Sequence, residues 1–201
     1  VRPVGEESKQ VRGQALRDKL VDIAAELFYA NGVRAVGVDE VVRRAGVAKA
    51  SLYRWFPHKN DLVLAVLQRR DDLFWAQWDA TAVRRPDPRE QLDAQLSWIE
   101  DLATLHGYRG CAFVNTAAEF DGDESPEIRE RCLAHEDELR RRLREATGRL
   151  GIAESDRLAD RLHLVIVGAL TTGGLYPANG PAGELRSLAA DLIAAAGAAD
   201  R

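Results

Sequence analysis

The chain has 201 residues, 46% hydrophobic and 30% charged, with a formal net charge of −4. That length allows one or two domains with a true core, that balance excludes disordered and fibrous classes, and the negative charge excludes a uniformly basic coat for nucleic acid. Apolar runs such as residues 164–170 are too short to span a bilayer, and no basic-then-apolar leader opens the chain, so no membrane partner and a cytoplasmic location are expected. The two cysteines, Cys111 and Cys132, have a spacing that fits neither a zinc motif nor a disulfide framework, and no metal or cofactor is expected. Charge is unevenly spread. Residues 1–60 hold 11 Lys/Arg against 7 Asp/Glu, while residues 61–201 hold 17 against 25. A basic head on an acidic body confines attraction for DNA to one end, although chance surface variation produces the same asymmetry.

Every long segment has helical spacing, and nothing reads as a strand. Residues 1–9 read as a flexible arm. The first helix, from about Gln10 to Ala30, places Leu16, Leu20, Ile23 and Leu27 on one face, and Asn31-Gly32 can close it in a left-handed turn. Two short helices follow, joined by the turn Ala45-Gly46-Val47. Val41 and Val42 supply the apolar face of one. Leu52, Trp55 and Phe56 return the next to the core, leaving Lys49, Ser51, Tyr53 and Arg54 outward. That order is the layout of a helix-turn-helix, whose second helix enters the DNA major groove.

A fourth helix starts near Lys59, with Asp61 placed to favour its positive N-terminus, and runs to about Val83. Pro86-Asp87-Pro88 breaks the chain. Further helices are expected at about 89–105, 112–120, 126–150, 155–172 and 182–198. Ser125 is suited to cap the third of these, with Pro126 at its first position. The fold class is all-α, with about nine helices.

The stretch AGVAKASLYRWFPHKNDL closely resembles the N-terminal domain of the TetR family of bacterial transcriptional regulators, which typically shows A-G-V-S-x-G-T-L-Y-x-H-F-x-x-K-E-x-L. The match extends back through the first helix and covers about the first third of the chain. The resemblance implies a helix-turn-helix DNA-binding domain over 1–58 and a C-terminal helical bundle for ligand binding and dimerisation over 59–201. It sets Lys49, Ala50 and Ser51 nearest the bases. Lys49 is suited to guanine O6/N7, Ser51 to either partner, and the Ala50 methyl to a thymine methyl. Tyr53 and Lys59 match positions that reach phosphates, and Arg54, Trp55, Gly37, Val38 and Arg12 complete the expected DNA-binding set. Arg2 and Lys9 join Arg12 as basic groups able to follow the backbone. Several positions depart from the pattern. Gly37 and Ala48 stand where Ser or Thr usually caps, Val36 replaces a frequent Thr, and Trp55 stands in a common His place. An Ala cap costs about 1 kcal/mol and a Gly cap little.

In the body, the helix around residues 162–170 is apolar nearly all round and must be buried on more than one side. Leu158, Leu162, Val165, Ile166 and Ala169, with Leu185, Leu188 and Leu192 of the last helix, are the expected dimer interface; burial inside one protomer is the alternative. Dimerisation through the last two long helices is what the resemblance implies, and a two-fold dimer would read a pseudo-palindromic operator in double-stranded DNA. Trp75, Trp78 and Trp98, with His106, Phe113, Asn115, Glu119 and Phe120, form the candidate site for an unidentified small-molecule ligand. Aromatic walls with a few polar groups describe such a site; they describe an aromatic core equally well, and Asn115 and Glu119 are suited to satisfying backbone groups.

No phosphate loop, nucleophile elbow or catalytic carboxylate pair is present in the sequence, so no catalytic residue is named. Cys111 with His106 is the single conceivable nucleophile pair. The expected function is a sequence-specific DNA-binding regulator, a repressor released by ligand. The competing reading is a helical small-molecule-binding or adaptor protein without sequence-specific DNA binding, which leaves residues 49–59 without a purpose.

Overall fold

The computed structural model of the chain describes residues 4–83, 85–120, 125–176 and 179–199, with side chains described from residue 13 to residue 198. Nine α-helices occupy them: α1 (Val4–Asn31), α2 (Val38–Ala45), α3 (Lys49–Tyr53), α4 (Lys59–Ala82), α5 (Pro88–Ala103), α6 (Ala112–Glu119), α7 (Pro126–Gly148), α8 (Ser155–Gly173) and α9 (Leu185–Ala199). A 3₁₀ turn at Pro181–Glu184 leads into α9. No strand occurs among the described residues.

The helix ends follow from local chemistry. Gly46 takes the left-handed conformation (φ 68°) that stops α2, and its N–H bonds back to the Arg43 carbonyl. Asp61, in the first turn of α4, accepts the His58 N–H at 2.8 Å, the return half of a capping box. The Asp87 carboxylate accepts from the Arg89 and Glu90 N–H groups, and Pro88 opens α5 where its missing N–H has no partner to lose. One expectation is corrected here. Residues 4–9, read as part of a flexible arm, belong to α1. Glu6, Glu7, Lys9 and Gln10 are good helix formers, and the two acids suit a positive helix N-terminus.

The chain packs as two compact units. The first takes Val1–Arg70 with Thr116–Arg131; the second takes Asp71–Asn115 with Cys132–Arg201. The limits of these units fall within α4, α6 and α7.

In the first unit Leu20, Ala24, Val41, Leu52, Phe56 and Leu62 are almost wholly buried. Lys19 of α1 donates to the Ala45 carbonyl at 2.8 Å, tying the first helix to the end of α2. In the second unit α5, α8 and α9 pack on one another. Leu92, Leu96 and Ile99 of α5 are buried, as are Leu158, Leu162 and Ile166 of α8 and Leu185, Ala189 and Ile193 of α9. The helices approach closely: a Cβ added at Gly173 of α8 would lie 2.2 Å from the Ala103 carbonyl oxygen.

This packing corrects the expected interface. Leu158, Leu162, Ile166, Ala169 and Leu185 lie inside the protomer, where each large side chain contributes about 1.5–3 kcal/mol. They are core. An all-round apolar helix reveals that two sides are covered, but not which side its own chain covers. Val165 and Leu192 are half-buried, and Leu188 is exposed.

Candidate nucleic-acid interface

The second helix of the helix-turn-helix, α3, presents Lys49, Ala50, Tyr53 and Arg54 to solvent, with Ser51 half-buried and Leu52 fully buried. The one inward residue is the anchor, and the outward set is what a groove would meet. Neither Gly37, the N-cap of α2, nor Ala48, the N-cap of α3, offers a side-chain cap bond, as their residue types require. Val38 follows Gly37 as the first residue of α2 and is half-buried. Lys49 Nζ sits 2.7 Å from the Asp39 carboxylate of α2 and 6.0 Å from the Tyr53 ring centroid. The hydrogen bond to Asp39 raises the Lys49 pKa. Trp55 is half-buried with its ring against Gly13 of α1, where an added Cβ would lie 3.2 Å away. The tryptophan in the usual histidine place is thus seated by a glycine in the first helix.

Lys59 is turned inward. Its Nζ donates to the Val33 carbonyl at 2.6 Å and lies 5.9 Å from the Phe28 ring centroid, and burial lowers its pKa. The peptide of Val33 is held from the other side too. Glu119 accepts the Val33 N–H at 3.0 Å and the Arg34 N–H at 2.7 Å. A lysine and a glutamate from distant helices therefore grip the turn between α1 and α2. Arg12 lies in α1, but its side chain is outside the described residues, as are Arg2 and the side chain of Lys9.

The expected ligand set divides between the units. Glu119 and Phe120 belong to the first, where Arg34 stacks over Phe120 at 5.5 Å. Asn115 is exposed and donates to the Arg109 carbonyl at 2.9 Å, and His106 is exposed. Asn115 and Glu119 satisfy backbone groups, the alternative left open by the sequence. Trp75, Trp78, Trp98 and Phe113 belong to the second unit. Phe74 packs 4.9 Å from both Trp75 and Trp98, and Trp75 lies 6.1 Å from Trp78. A separate groove of about 330 Å³ runs along α5 and α9, lined by Arg89, Asp93, Leu96, Arg186, Ser187 and Ala190.

At the centre of the aromatic set is a residue that sequence reasoning missed. His135 of α7 is 2% exposed, bonds through Nδ1 to Asp71 Oδ1 at 2.7 Å, and stacks on Phe113 with ring centroids 3.7 Å apart. Its signal was present. Ile128, Cys132, His135, Leu139 and Leu143 repeat at steps of four, three, four and four, and all are buried. A histidine on that stripe is inside the protein.

Among the described residues, the short exposed α3 following the glycine turn after α2 forms a helix-turn-helix. Residues 20–66 match the family model described as bacterial regulatory proteins, tetR family. Over 95 residues the chain is 48% identical to the HTH-type transcriptional activator FasR of Mycolicibacterium smegmatis, a stretch covering 46% of this chain and 43% of that protein. Over 76 residues it is 32% identical to the HTH-type transcriptional regulator QacR of Staphylococcus aureus, covering 38% of this chain and 40% of that one. The chain thus spans less than half the length of the curated relatives it matches. Solved structures match further. The TetR-family regulator SCO4454 of Streptomyces coelicolor aligns with a TM-score of 0.85 at 29% identity over 90% of this chain and 95% of that one. A regulator from Streptomyces avermitilis aligns with a TM-score of 0.80 at 29% identity, over 90% and 98%. Residues 20–66 thus match the TetR family, and over about nine-tenths of its length the chain shares the fold of solved TetR-family regulators.

Among the described residues, no helix is long and apolar enough to cross a membrane.

Proposed function

We propose that the chain binds a pseudo-palindromic operator in double-stranded DNA as a homodimer, through residues 1–58, and releases it when residues 59–201 take up a small molecule. The observation that carries this reading is α3, which offers Lys49, Ala50, Tyr53 and Arg54 to solvent on a buried Leu52 anchor. Lys49 and Ser51 read base edges, while Tyr53 and Arg54 hold phosphates, with Lys59 adding a donor if it turns outward. Asp39 holds Lys49 in place and gives way to guanine O6/N7 on binding. Repression is the sign we infer, because a dimer seated on a promoter blocks it without further contacts; the name of FasR shows that a relative activates. The dimer surface lies on the outer faces of α8 and α9, where Leu164 is 72% and Leu188 46% exposed, flanked by Val165 and Leu192. Ligand is held by the aromatic residues around His135, and acts by favouring a spacing of the two heads that no longer fits adjacent grooves.

Footprinting on the DNA upstream of the gene, with binding-site selection from random sequence, tests the reading. A protected palindrome is expected. Absence of protection together with failure to enrich any motif would instead leave a helical small-molecule-binding or adaptor protein. Sedimentation of Leu164→Glu and Leu188→Glu variants should show monomers where the parent is a dimer, and unchanged dimers would remove this face from the interface.

A further inference from the structure

The chemistry of the second unit contains a cluster that DNA recognition does not use. The thiol of Cys111, just before α6, a ring nitrogen of His135 and a carboxylate oxygen of Glu136 all lie within 4.8 Å of one another. We propose that these three side chains form a binding site for one divalent cation of the zinc type. Thiolate, imidazole and carboxylate are the donor set that such an ion takes, with metal–ligand distances of about 2.0–2.3 Å, which put tetrahedral donors roughly 3.3–3.8 Å apart. Side-chain adjustment on the order of 1 Å brings the three to that spacing.

Three observations go beyond proximity. First, His135 is already oriented as a metal ligand. Its Nδ1 bonds to Asp71 Oδ1 at 2.7 Å, the carboxylate–histidine arrangement that fixes the tautomer and assigns the metal to Nε2. Asp71 is in turn held by the Trp75 indole N–H at 2.8 Å. The parallel Phe113 ring, 3.7 Å away, fixes the imidazole plane. Secondly, Glu136 has its own outer partner, His163 of α8, whose Nε2 lies 3.0 Å from Oε2. Two proposed ligands therefore each carry the supporting bond that metal sites build. Thirdly, the charges suit a buried ion. Cys111 is 8% exposed and His135 2%. On binding, the Cys111 thiol releases its proton to solvent, and thiolate plus carboxylate neutralise the dication. Three protein ligands leave a fourth position for water or a small anion. Sequence spacing alone concealed the set, since its members come from the loop before α6 and the middle of α7.

This inference does not depend on the DNA-binding reading, and metal binding itself tests it. The full chain, stripped with a chelator, is titrated near neutral pH with Co²⁺, whose thiolate complexes absorb by charge transfer, and then with Zn²⁺. The expected result is one equivalent of Co²⁺ per chain with a thiolate-to-cobalt band, displaced by Zn²⁺. Cys111→Ser should abolish the band and Cys132→Ser should retain it. His135→Gln and Asp71→Asn should each weaken binding, the latter by about 10–100-fold with the band retained. Absence of the band in the parent chain overturns the proposal outright, whatever the variants do. Survival of the band in Cys111→Ser also overturns it, placing the metal elsewhere. Unchanged affinity in Asp71→Asn overturns the orienting role given to that carboxylate.

Discussion

The turn between α1 and α2 gives the sharpest test of the structure of the head. Its Val33 peptide is gripped on both sides, by Glu119 at the N–H and by Lys59 at the carbonyl. Hydrogen bonds to a charged partner contribute about 1.5–3 kcal/mol when water cannot replace them. The Val33 N–H is part-buried and deserves the lower end of that range, whereas the Arg34 N–H is exposed and finds water when Glu119 goes. Glu119→Ala should therefore destabilise the chain by about 2 kcal/mol. Glu119→Gln keeps one acceptor and should lose about half as much. Lys59→Ala should cost on the order of 1 kcal/mol, through the lost carbonyl bond and its contact with Phe28. Because Glu119 and Lys59 act on one peptide, the double variant should depart from additivity by at least about 0.5 kcal/mol. Urea unfolding followed by circular dichroism reads these differences, as midpoint shifts on the order of 1 M for Glu119→Ala. Hydrogen exchange adds a local readout, with the Val33 and Arg34 amides exchanging faster in that variant. A Glu119→Ala chain within about 0.5 kcal/mol of the parent, with unaltered exchange at both amides, would refute the clamp.

Three other outcomes are expected. Gly173→Ala should destabilise by more than about 3 kcal/mol, since its Cβ would meet the Ala103 carbonyl oxygen at 2.2 Å and backbone must move; a thermal melt within a few degrees of the parent would deny that contact. Hydrogen bonds from Arg141 and then Arg142 pull the Glu138 carboxyl from its ordinary 4.5 down to about 2. A depressed carboxylate stabilises fully above the unfolded value and loses that contribution as pH falls towards 2, so Glu138→Gln should cost about 1 kcal/mol at pH 7, after allowance for solvent screening, and almost nothing near pH 2. A pH-independent difference between the two chains would contradict this. Lys49→Ala should change the base preference found by binding-site selection, and an unchanged selected motif would remove Lys49 from base readout.

The elements were legible where local chemistry decides them. The glycine turn at Gly46, the anchor at Leu52 and the break at Asp87 each depend on neighbours within a few residues, and the helix-turn-helix could be read from their register. The missing caps at Gly37 and Ala48 were equally plain, since a residue without a side-chain acceptor cannot offer a cap bond. Pairings between distant segments were not legible. Nothing near Glu119 announces that its carboxylate closes the turn at Val33, 86 positions earlier. Nor does Lys59 show whether its flexible side chain faces solvent or a carbonyl.

The apolar face of α8 illustrates the same division. Composition established that residues such as Leu162 and Ile166 must leave water, because their burial is favourable wherever it occurs. Only the packing of α5 against α8 decided that their own chain buries them, leaving Leu164 outside. The hydrophobic effect is without direction, so sequence can specify which side chains are hidden without saying what hides them. Hydrogen bonds and metal donor sets need particular atoms within a few ångströms. For Asp71, Cys111, His135 and Glu136, the tertiary fold alone brought those atoms together.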